Sequence, residues 1–194
     1  MSKFVLASAS PRRKELLENI GLEFEIIVSE ADESVIDRSI APDMLVKELA
    51  MLKAAEAAKY AKKDSFVIGA DTVVVYDGQV LEKPADSESA EGMLKMLSGK
   101  EHCVYTGVCI FNTNDCSAIC KSEKTVVSFK ELSEETVKNY VKTGEPMDKA
   151  GSYGIQGKGA LLIKGIEGDY FNVVGLPLGL LSDMFKEEYN IEIL

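Results

Sequence analysis

The chain has 194 residues, of which 46% are hydrophobic and 28% charged, a balance typical of a globular protein with a sizeable core. Its formal net charge of −10 argues against general affinity for nucleic acid or anionic membranes, so a phosphate ligand would need a local basic pocket. His102 is the only histidine and the four cysteines lack C-x-x-C spacing, which argues against a zinc site. With no secretory signal apparent, we expect a cytoplasmic protein with buried or half-buried free thiols.

The first predicted element is a short buried strand, Phe4 to Ala7, followed by a small-residue turn and a helix. Ser10 suits the N-cap of that helix and Pro11 its first position. Arg12 and Arg13 then fall in the first turn, where the helix dipole disfavours positive charge. Backbone N–H groups, serine hydroxyls and two arginines are together what a bound polyanion requires. The alternative is that both arginines are solvated surface residues.

The rest of the chain intermixes strands and helices, without repeats or a clear domain boundary. Strands are predicted at 23–28, 66–70, 72–76, 79–81, 103–111, 118–129 and 160–164, and helices at 42–62, 87–97, 133–143 and 177–189. Asp77-Gly78 predicts a type I′ turn, Ser87 is the predicted cap of the helix at 87–97, and Ser133-Glu134-Glu135 predicts the cap of the helix at 133–143. The pattern predicts an α/β or α+β fold with a mixed, twisted sheet and flanking helices, and we expect one α/β domain over residues 1–194.

Three further polar clusters are functional candidates besides the Ser8–Arg13 segment. Asp71 is predicted at the end of an apolar strand, where α/β proteins meet ligands, although an acid beside glycine is also an ordinary turn residue. Lys83 precedes a proline and is held extended, or is simply part of an exposed charged turn. Gln156 lies in a glycine-rich stretch that allows close backbone approach to a ligand, and its amide could read a base edge. The alternative there is a flexible loop with a solvated amide.

Several familiar catalytic devices are missing from the sequence. The surroundings of Lys158 depart from the Walker A pattern at both ends, and no dinucleotide-binding fingerprint follows a predicted strand. A Ser-His-Asp set is not credible because His102 lies at a strand start, where a structural role is expected. The carboxylates, lysines, arginines and hydroxyls that remain suit metal-assisted phosphoryl or nucleotidyl chemistry.

In order and spacing, the four clusters resemble the Maf family of nucleoside triphosphate pyrophosphatases. The matching segments are Ser8-Ala-Ser-Pro-Arg-Arg, Gly69-Ala-Asp-Thr-Val, Glu82-Lys-Pro and Ala150-Gly-Ser-Tyr-Gly-Ile-Gln-Gly. The resemblance implies an elongated, two-lobed body with a central cleft, related to the inosine triphosphate pyrophosphatases. It also implies hydrolysis of a nucleoside triphosphate to the monophosphate and pyrophosphate, with a divalent metal cation, Mg²⁺ or Mn²⁺.

The resemblance also assigns roles to individual residues. Asp71 takes the position of the general base and, together with Glu33, of the metal ligands. The positions that bind substrate phosphates are matched by Ser8, Arg13, Lys53 and Lys83, and those tied to base choice by Arg12, Thr72 and Gln156. Tyr-Gly-Ile-Gln-Gly at 153–157 resembles the branch that acts on dTTP and UTP, rather than the branch that acts on 7-methyl-GTP.

Other functions stay open on the sequence. One is a non-catalytic nucleotide-binding regulator of cell division that uses the same cleft. Another is a pyrophosphatase of the same fold that removes non-canonical purine triphosphates. An RNA-binding module is disfavoured by the net charge and by the lack of a basic patch with aromatic residues. A homodimer is suggested only at the level of the family.

Overall fold

The computed structural model describes residues 3–193, apart from the side chain of Lys3, and is a mixed α/β structure. Its strands are β1 (Lys3–Leu6), β2 (Phe24–Ile26), β3 (Ser65–Tyr76), β4 (Gln79–Leu81), β5 (Glu101–Asn112), β6 (Ala118–Phe129) and β7 (Ile163–Glu167). Its α-helices are α1 (Pro11–Asn19), α2 (Pro42–Ala58), α3 (Ser87–Leu97), α4 (Glu134–Val141), α5 (Tyr170–Val174) and α6 (Leu178–Tyr189). Short 3-10 helices lie at Glu33–Val35, Glu145–Asp148, Ala150–Ser152 and Gly157–Leu162.

The strands within the described residues form one mixed sheet in the order β2-β1-β3-β5-β6-β7, and β4 pairs with β3. β1 runs parallel to both neighbours, and its Leu6 is in register with Ile26 of β2 and Ile68 of β3. The β3–β4 and β6–β7 pairs are antiparallel. The predicted mixed sheet with flanking helices is therefore confirmed.

The chain divides into two compact units. Unit 1 comprises the described residues up to Asp71, Thr106–Glu123 and those from Gly175 onward, and unit 2 comprises Thr72–Tyr105 and Lys124–Val174. Because the division falls within β3, β5 and β6, each of these strands contributes residues to both units.

In unit 1, the helix α2 packs very closely on the strands β3 and β5. A Cβ atom at Gly69 would lie 2.2 Å from the carbonyl oxygen of Ala50, and one at Gly107 would lie 2.2 Å from that of Val46. No side chain fits at such distances, so both positions need glycine for the backbones to touch. This contact brings the middle of α2, which carries Lys53, against the strand that carries Asp71.

Small apolar side chains fill the interior between α2 and its neighbours in unit 1. The buried residues of this cluster are Val5, Ala7, Ala50, Ala54, Ala57, Val67 and Cys109. Aromatic rings of β1 and β3 also pack on α6, with Phe185 meeting Phe4 and Phe66 edge to face at centroid distances of 5.2 and 5.7 Å. These contacts fix the strands from which the candidate site of unit 1 projects.

Unit 2 has its own core, formed by α3, α4 and the strand segments of that unit. Its buried members are Val74, Leu81, Ala90, Leu94, Leu97, Val104, Val127, Phe129, Val137, Tyr140, Val141, Tyr153 and Leu162. His102 lies against this core with its Nε2 atom 2.6 Å from the Tyr153 hydroxyl. Burial lowers the pKa of His102 to about 4, so the imidazole is neutral at pH 7, in keeping with the structural role expected for it.

Several local predictions are confirmed. β6 has the predicted bounds, and the Ser133 Oγ atom accepts a hydrogen bond from the Thr136 N–H at 3.1 Å to cap α4. Asp77 and Gly78 have φ angles of 49° and 76°, as a type I′ turn requires. Among residues 3–193, no helix combines the length and the apolar character needed to cross a lipid bilayer.

Other boundaries were predicted wrongly. The cap of α3 is Asp86, whose Oδ1 atom accepts a hydrogen bond from the Ser89 N–H at 2.8 Å, and not Ser87. Asp86 is the cap because the Ser89 hydroxyl in turn accepts a hydrogen bond from the Asp86 N–H at 3.0 Å, which completes a capping box. The strand predicted at 160–164 is β7, which begins three residues later, because a 3-10 helix occupies 157–162.

The expectation of buried or half-buried thiols is wrong for one cysteine. Cys116 is exposed, since it lies in the β5–β6 turn with a φ of 57°.

The close packing of α2 predicts that Gly107→Ala destabilises the protein. The added methyl group would collide with backbone atoms of Val46 and Lys47, so we expect a loss of about 1–3 kcal/mol, as is typical of overpacking. The matched control is Gly92→Ala in α3, where a Cβ meets nothing within 4 Å and alanine favours the helix. Urea unfolding measures both changes, and equal stability of the two variants would contradict this account of the packing.

Candidate active site

Asp71 lies inside β3, at the point where that strand has passed the end of its neighbour β1. The pairing of β1 with β3 ends at Leu6 and Ile68, and the Ala7 N–H donates to the Ile68 carbonyl at 2.8 Å. The prediction that Asp71 ends a strand is wrong, because β3 continues to Tyr76 as it pairs with β4. What ends before Asp71 is the uninterrupted run of buried residues from Ser65 to Ala70, most of which the hydrophobic pattern detected.

Lys53 of α2 joins two carboxylates from different parts of unit 1. Its Nζ atom lies 2.5 Å from Oδ1 of Asp71 and 2.9 Å from Oε1 of Glu33. The side chains of Lys53 and Asp71 are only 17% and 14% exposed, so water screens this ion pair less than it would a surface pair. The structure thus brings together three of the residues predicted for the site.

Glu33 is presented by a 3-10 helix whose first residue it is. The Asp32 Oδ1 atom caps this helix by accepting a hydrogen bond from the Ser34 N–H at 3.0 Å. Burial acts to raise the pKa of Glu33, but Lys53 and Arg38 outweigh it and hold that pKa below its ordinary value. The Nη2 atom of Arg38 lies 3.5 Å from Oε2 of Glu33. Arg38 was not predicted for the site, because no motif in its segment of the sequence indicates a function.

Arg13 is fixed inside unit 1 by two hydrogen bonds. Its Nε atom donates to the Gly175 carbonyl at 2.7 Å, and its Nη1 atom donates to the Ser8 hydroxyl at 3.2 Å. The Ser8 Oγ atom also accepts a hydrogen bond from the Ser10 N–H at 3.2 Å, whereas the Ser10 side chain makes no capping bond to α1. The alternative of a solvated surface residue is therefore wrong for Arg13, which holds the turn before α1 to the segment before α6.

The charges of these residues act on one another. Burial lowers the pKa of the Arg13 guanidinium, the carboxylates of Asp71 and Glu33 oppose that shift, and Arg12 adds to it. Arg13, Glu33, Lys53 and Asp71 thus form an electrostatic cluster of two cations and two anions in unit 1. Such a cluster offers cations to phosphate groups and carboxylate oxygens to a hard metal ion.

The other three predicted residues belong to unit 2. Thr72 is half-buried in β3, Lys83 is exposed in the segment after β4, and Gln156 is half-buried. Gln156 directly precedes the 3-10 helix Gly157–Leu162 and has an extended backbone, with φ −91° and ψ 167°. The assignment of these residues to substrate binding stays a prediction.

The donor set of unit 1 fits a magnesium or manganese ion. Glu33 and Asp71 both contact the Lys53 ammonium group, so their oxygen atoms reach a common region. Within residues 3–193, no group of three or more His, Cys, Asp or Glu side chains could hold a metal ion. Two carboxylates are nevertheless sufficient for Mg²⁺, which commonly takes its other ligands from water and substrate phosphates.

Comparison with known proteins identifies the family. The model of the family described as Maf-like protein matches residues 3–188. The dTTP/UTP pyrophosphatases of Thermoanaerobacter sp. (strain X514) and Clostridium perfringens (strain 13 / Type A) are each 49% identical over 192 residues, covering 99% of this chain and 100% of theirs. That of Acetivibrio thermocellus is 51% identical over 193 residues, covering 96% of each chain. The chain belongs to the Maf-like protein family.

Among solved structures, the Staphylococcus aureus Ham1 protein aligns with 66% of this chain and 71% of its own, at 14% identity and a TM-score of 0.46.

Because the Lys53 ammonium group contacts both Glu33 and Asp71, we expect Lys53 and Asp71 to be coupled in their contributions to the free energy of unfolding. Lys53→Met leaves two carboxylates without their common partner, so it should cost less stability once Asp71→Asn has removed one of them. A double-mutant cycle by urea unfolding should give a coupling energy of about 0.5–3 kcal/mol.

The control for this cycle is the exposed pair of Lys138 and Glu134 on α4, with Lys138→Met and Glu134→Gln. Water screens both of these side chains, which are 53% and 80% exposed, so this cycle should show no measurable coupling. Strict additivity of Lys53→Met and Asp71→Asn would mean that the contact between those two residues contributes nothing to folding.

Proposed function

We propose that this protein hydrolyses nucleoside triphosphates, dTTP and UTP above all, to the monophosphate and pyrophosphate. The observation that carries the proposal is the contact of the Asp71 carboxylate with Lys53 beside Glu33, in a chain 49% identical over almost its whole length to relatives named dTTP/UTP pyrophosphatase. Residues 1–194 act as one Maf-type domain in this proposal.

Asp71 is the general base. A water molecule attacks the α-phosphorus, its proton passes to a carboxylate oxygen of Asp71, and the bond from the α-phosphorus to the bridging oxygen breaks to release pyrophosphate. Lys53 contacts the carboxylate at 2.5 Å and keeps it in place for this step. His102, the only histidine, is buried in the core of unit 2 and hydrogen-bonded to Tyr153, which supports a carboxylate as the base.

The cations of the site bind the triphosphate and stabilise the negative charge of the departing pyrophosphate. Arg13 is already oriented by its bonds to Ser8 and Gly175, so little freedom is lost when its guanidinium group meets phosphate oxygens. Lys53, Lys83, the Ser8 hydroxyl and the N-terminus of α1 add further donors. Fixed donors of this kind contribute most where charge develops in the transition state.

A divalent cation, Mg²⁺ or Mn²⁺, would be held by Glu33 and Asp71. When bound, such an ion supplies positive charge that neutralises the triphosphate. The carboxylates contribute hard oxygen donors, and Arg38 restrains the Glu33 oxygen that does not contact Lys53.

Gln156 selects the base, together with Arg12 and Thr72. Uracil and thymine share an edge with two carbonyl acceptors around an N3–H donor, and a glutamine amide can pair with N3–H and one carbonyl. Cytosine has an amino group and an unprotonated N3 on that edge, so an amide held in the orientation that suits uracil would be left with unpaired polar groups. A single methyl group distinguishes thymine from uracil and is worth only about 1–3 kcal/mol, so both should be accepted.

The first test is Asp71→Asn, which preserves the shape of the side chain and removes the base. We expect kcat for UTP to fall about 10²–10⁴-fold while triphosphate binding is largely kept. The matched control is Asp77→Asn, because Asp77 is a turn residue of the same hairpin with a φ of 49°, which asparagine adopts readily. Pyrophosphate release measures both, and a near-normal kcat of Asp71→Asn would exclude Asp71 as the base.

The second test is a panel of dTTP, UTP, CTP, ATP, GTP and ITP, assayed with Mg²⁺ and with EDTA. We expect dTTP and UTP to be hydrolysed far better than the others, only with the metal, and Gln156→Ala to flatten the preference by about 10-fold. Preference for ITP would favour a pyrophosphatase for non-canonical purines. Nucleotide binding without pyrophosphate release would favour a regulator.

A further inference from the structure

The segment that carries Gln156 is held from both sides by two side chains of unit 2. On one side, the Gly154 N–H donates to the Tyr140 hydroxyl oxygen at 3.3 Å. On the other side, the Glu145 carboxylate accepts hydrogen bonds from the Lys158 N–H at 3.1 Å and the Gly159 N–H at 3.0 Å. Gln156 is therefore the middle of a short loop whose two ends are both bonded.

The two holding side chains are bonded to each other, so they act as one clamp on the loop. The Tyr140 hydroxyl donates to Oε1 of Glu145 at 3.0 Å. Tyr140 lies on α4 and is buried in the core of unit 2, and Glu145 begins the 3-10 helix that follows α4. The position of the loop is thus set by the core of unit 2.

The loop closes on itself within this clamp. A Cβ at Gly159 would lie 2.2 Å from the Gly154 carbonyl oxygen and 2.6 Å from the Tyr140 hydroxyl. Gly157 has a φ of 66°, and a Cβ there would lie 3.0 Å from Oε2 of Glu145. These close contacts leave the backbone on either side of Gln156 little room to move.

Charge strengthens the clamp. Burial acts to raise the pKa of Glu145, but the N–H groups of Gly159 and Lys158 and the Tyr140 hydroxyl outweigh it and hold that pKa below its ordinary value. Burial, followed by the hydrogen bond to Glu145, raises the pKa of Tyr140, so its hydroxyl stays a donor at neutral pH. Hydrogen bonds to an ionised carboxylate are about twice as strong as neutral ones.

We propose that Tyr140 and Glu145 are positioning residues for base selection, which act by fixing the backbone that presents the Gln156 amide to the nucleobase. The inference rests on the proposed function of Gln156. An amide distinguishes two base edges only if it cannot shift to suit either of them, because a loop that adapts can satisfy the wrong partner. The clamp supplies this constraint without touching the base itself.

The test compares Glu145→Gln and Tyr140→Phe with wild type. Glu145→Gln keeps the size of the side chain but places an amide N–H₂ among backbone donors, and Tyr140→Phe removes only the hydroxyl. In each variant we expect the ratio of kcat/KM for UTP over CTP to fall about 10-fold, mainly through a higher KM for UTP, as the loss of a charged hydrogen bond implies. Glu135→Gln on α4 and Tyr60→Phe, whose side chains are exposed, are the matched controls and should keep the ratio.

Repeating both substitutions in Gln156→Ala separates positioning from general damage to the fold. If the clamp acts through Gln156, neither substitution should lower the UTP:CTP ratio further in that background. A ratio that stays unchanged in the single variants, or that falls equally with and without Gln156, would overturn the inference. Circular dichroism at the assay temperature verifies that each variant is folded.

Calorimetric titration of UTP and CTP in EDTA distinguishes this inference from the proposed function. If wild type releases no pyrophosphate but binds UTP more tightly than CTP, and the clamp variants lose that preference, the inference holds and the hydrolytic function fails. If wild type hydrolyses UTP and the clamp variants keep the binding preference, the inference fails and the function stands. Equal binding of UTP and CTP by wild type also overturns the inference.

Discussion

The backbone contact of α2 with β3 is the constraint on which the rest of unit 1 depends. Because Gly69 has no side chain, α2 approaches β3 so closely that a Cβ atom at position 69 would lie 2.2 Å from the Ala50 carbonyl oxygen. Lys53 follows Ala50 within the same turn of α2. Asp71 comes two residues after Gly69 on the strand, so the ammonium group and the carboxylate meet at 2.5 Å. A larger residue at position 69 would separate the helix from the strand and lengthen this contact.

The glycine of the Gly-Ala-Asp-Thr segment therefore has a packing role. The sequence alone left Asp71 as either a ligand-facing acid at a strand end or an ordinary turn residue and gave Gly69 no packing role, whereas the structure has a strand glycine beneath a helix. Gly107 has the same role in β5, where no functional motif surrounds it. Local sequence patterns report which backbone angles are allowed, but they do not report which distant segment will lie against a position.

The sequence predicted the elements well where the signals are local. The bounds of β6, the cap at Ser133 and the turn at Asp77-Gly78 all follow from hydrophobic alternation or from the preferences of single residues. It failed at 157–162, where glycines interrupt any period and the chain forms a 3-10 helix held by Glu145. That helix depends on a carboxylate more than ten residues away, which a short window of sequence does not contain.

The candidate site was predicted in the same uneven way. Lys53 and Glu33 were named from a family resemblance and Asp71 first from its place after an apolar run, and their mutual contact could not be read from positions so far apart in the chain. Arg38, Tyr140 and Glu145 were missed, because each acts by holding another residue and such residues carry no chemical motif. Arg13 was expected to be available for an anion, and the structure adds its bond to the Gly175 carbonyl.

The three residues joined at Lys53 differ in how firmly the chain holds them. Lys53 lies within a 17-residue helix and Asp71 within a 12-residue strand, whereas Glu33 begins a 3-residue 3-10 helix and its side chain is 39% exposed. Groups on regular elements are preorganised, while groups on short segments lose conformational entropy when a ligand fixes them. Under the proposed function, the entropic cost of binding the triphosphate would therefore fall mainly on the Glu33 segment, and that segment would be the place where affinity can be tuned without changing the chemistry proposed for Asp71.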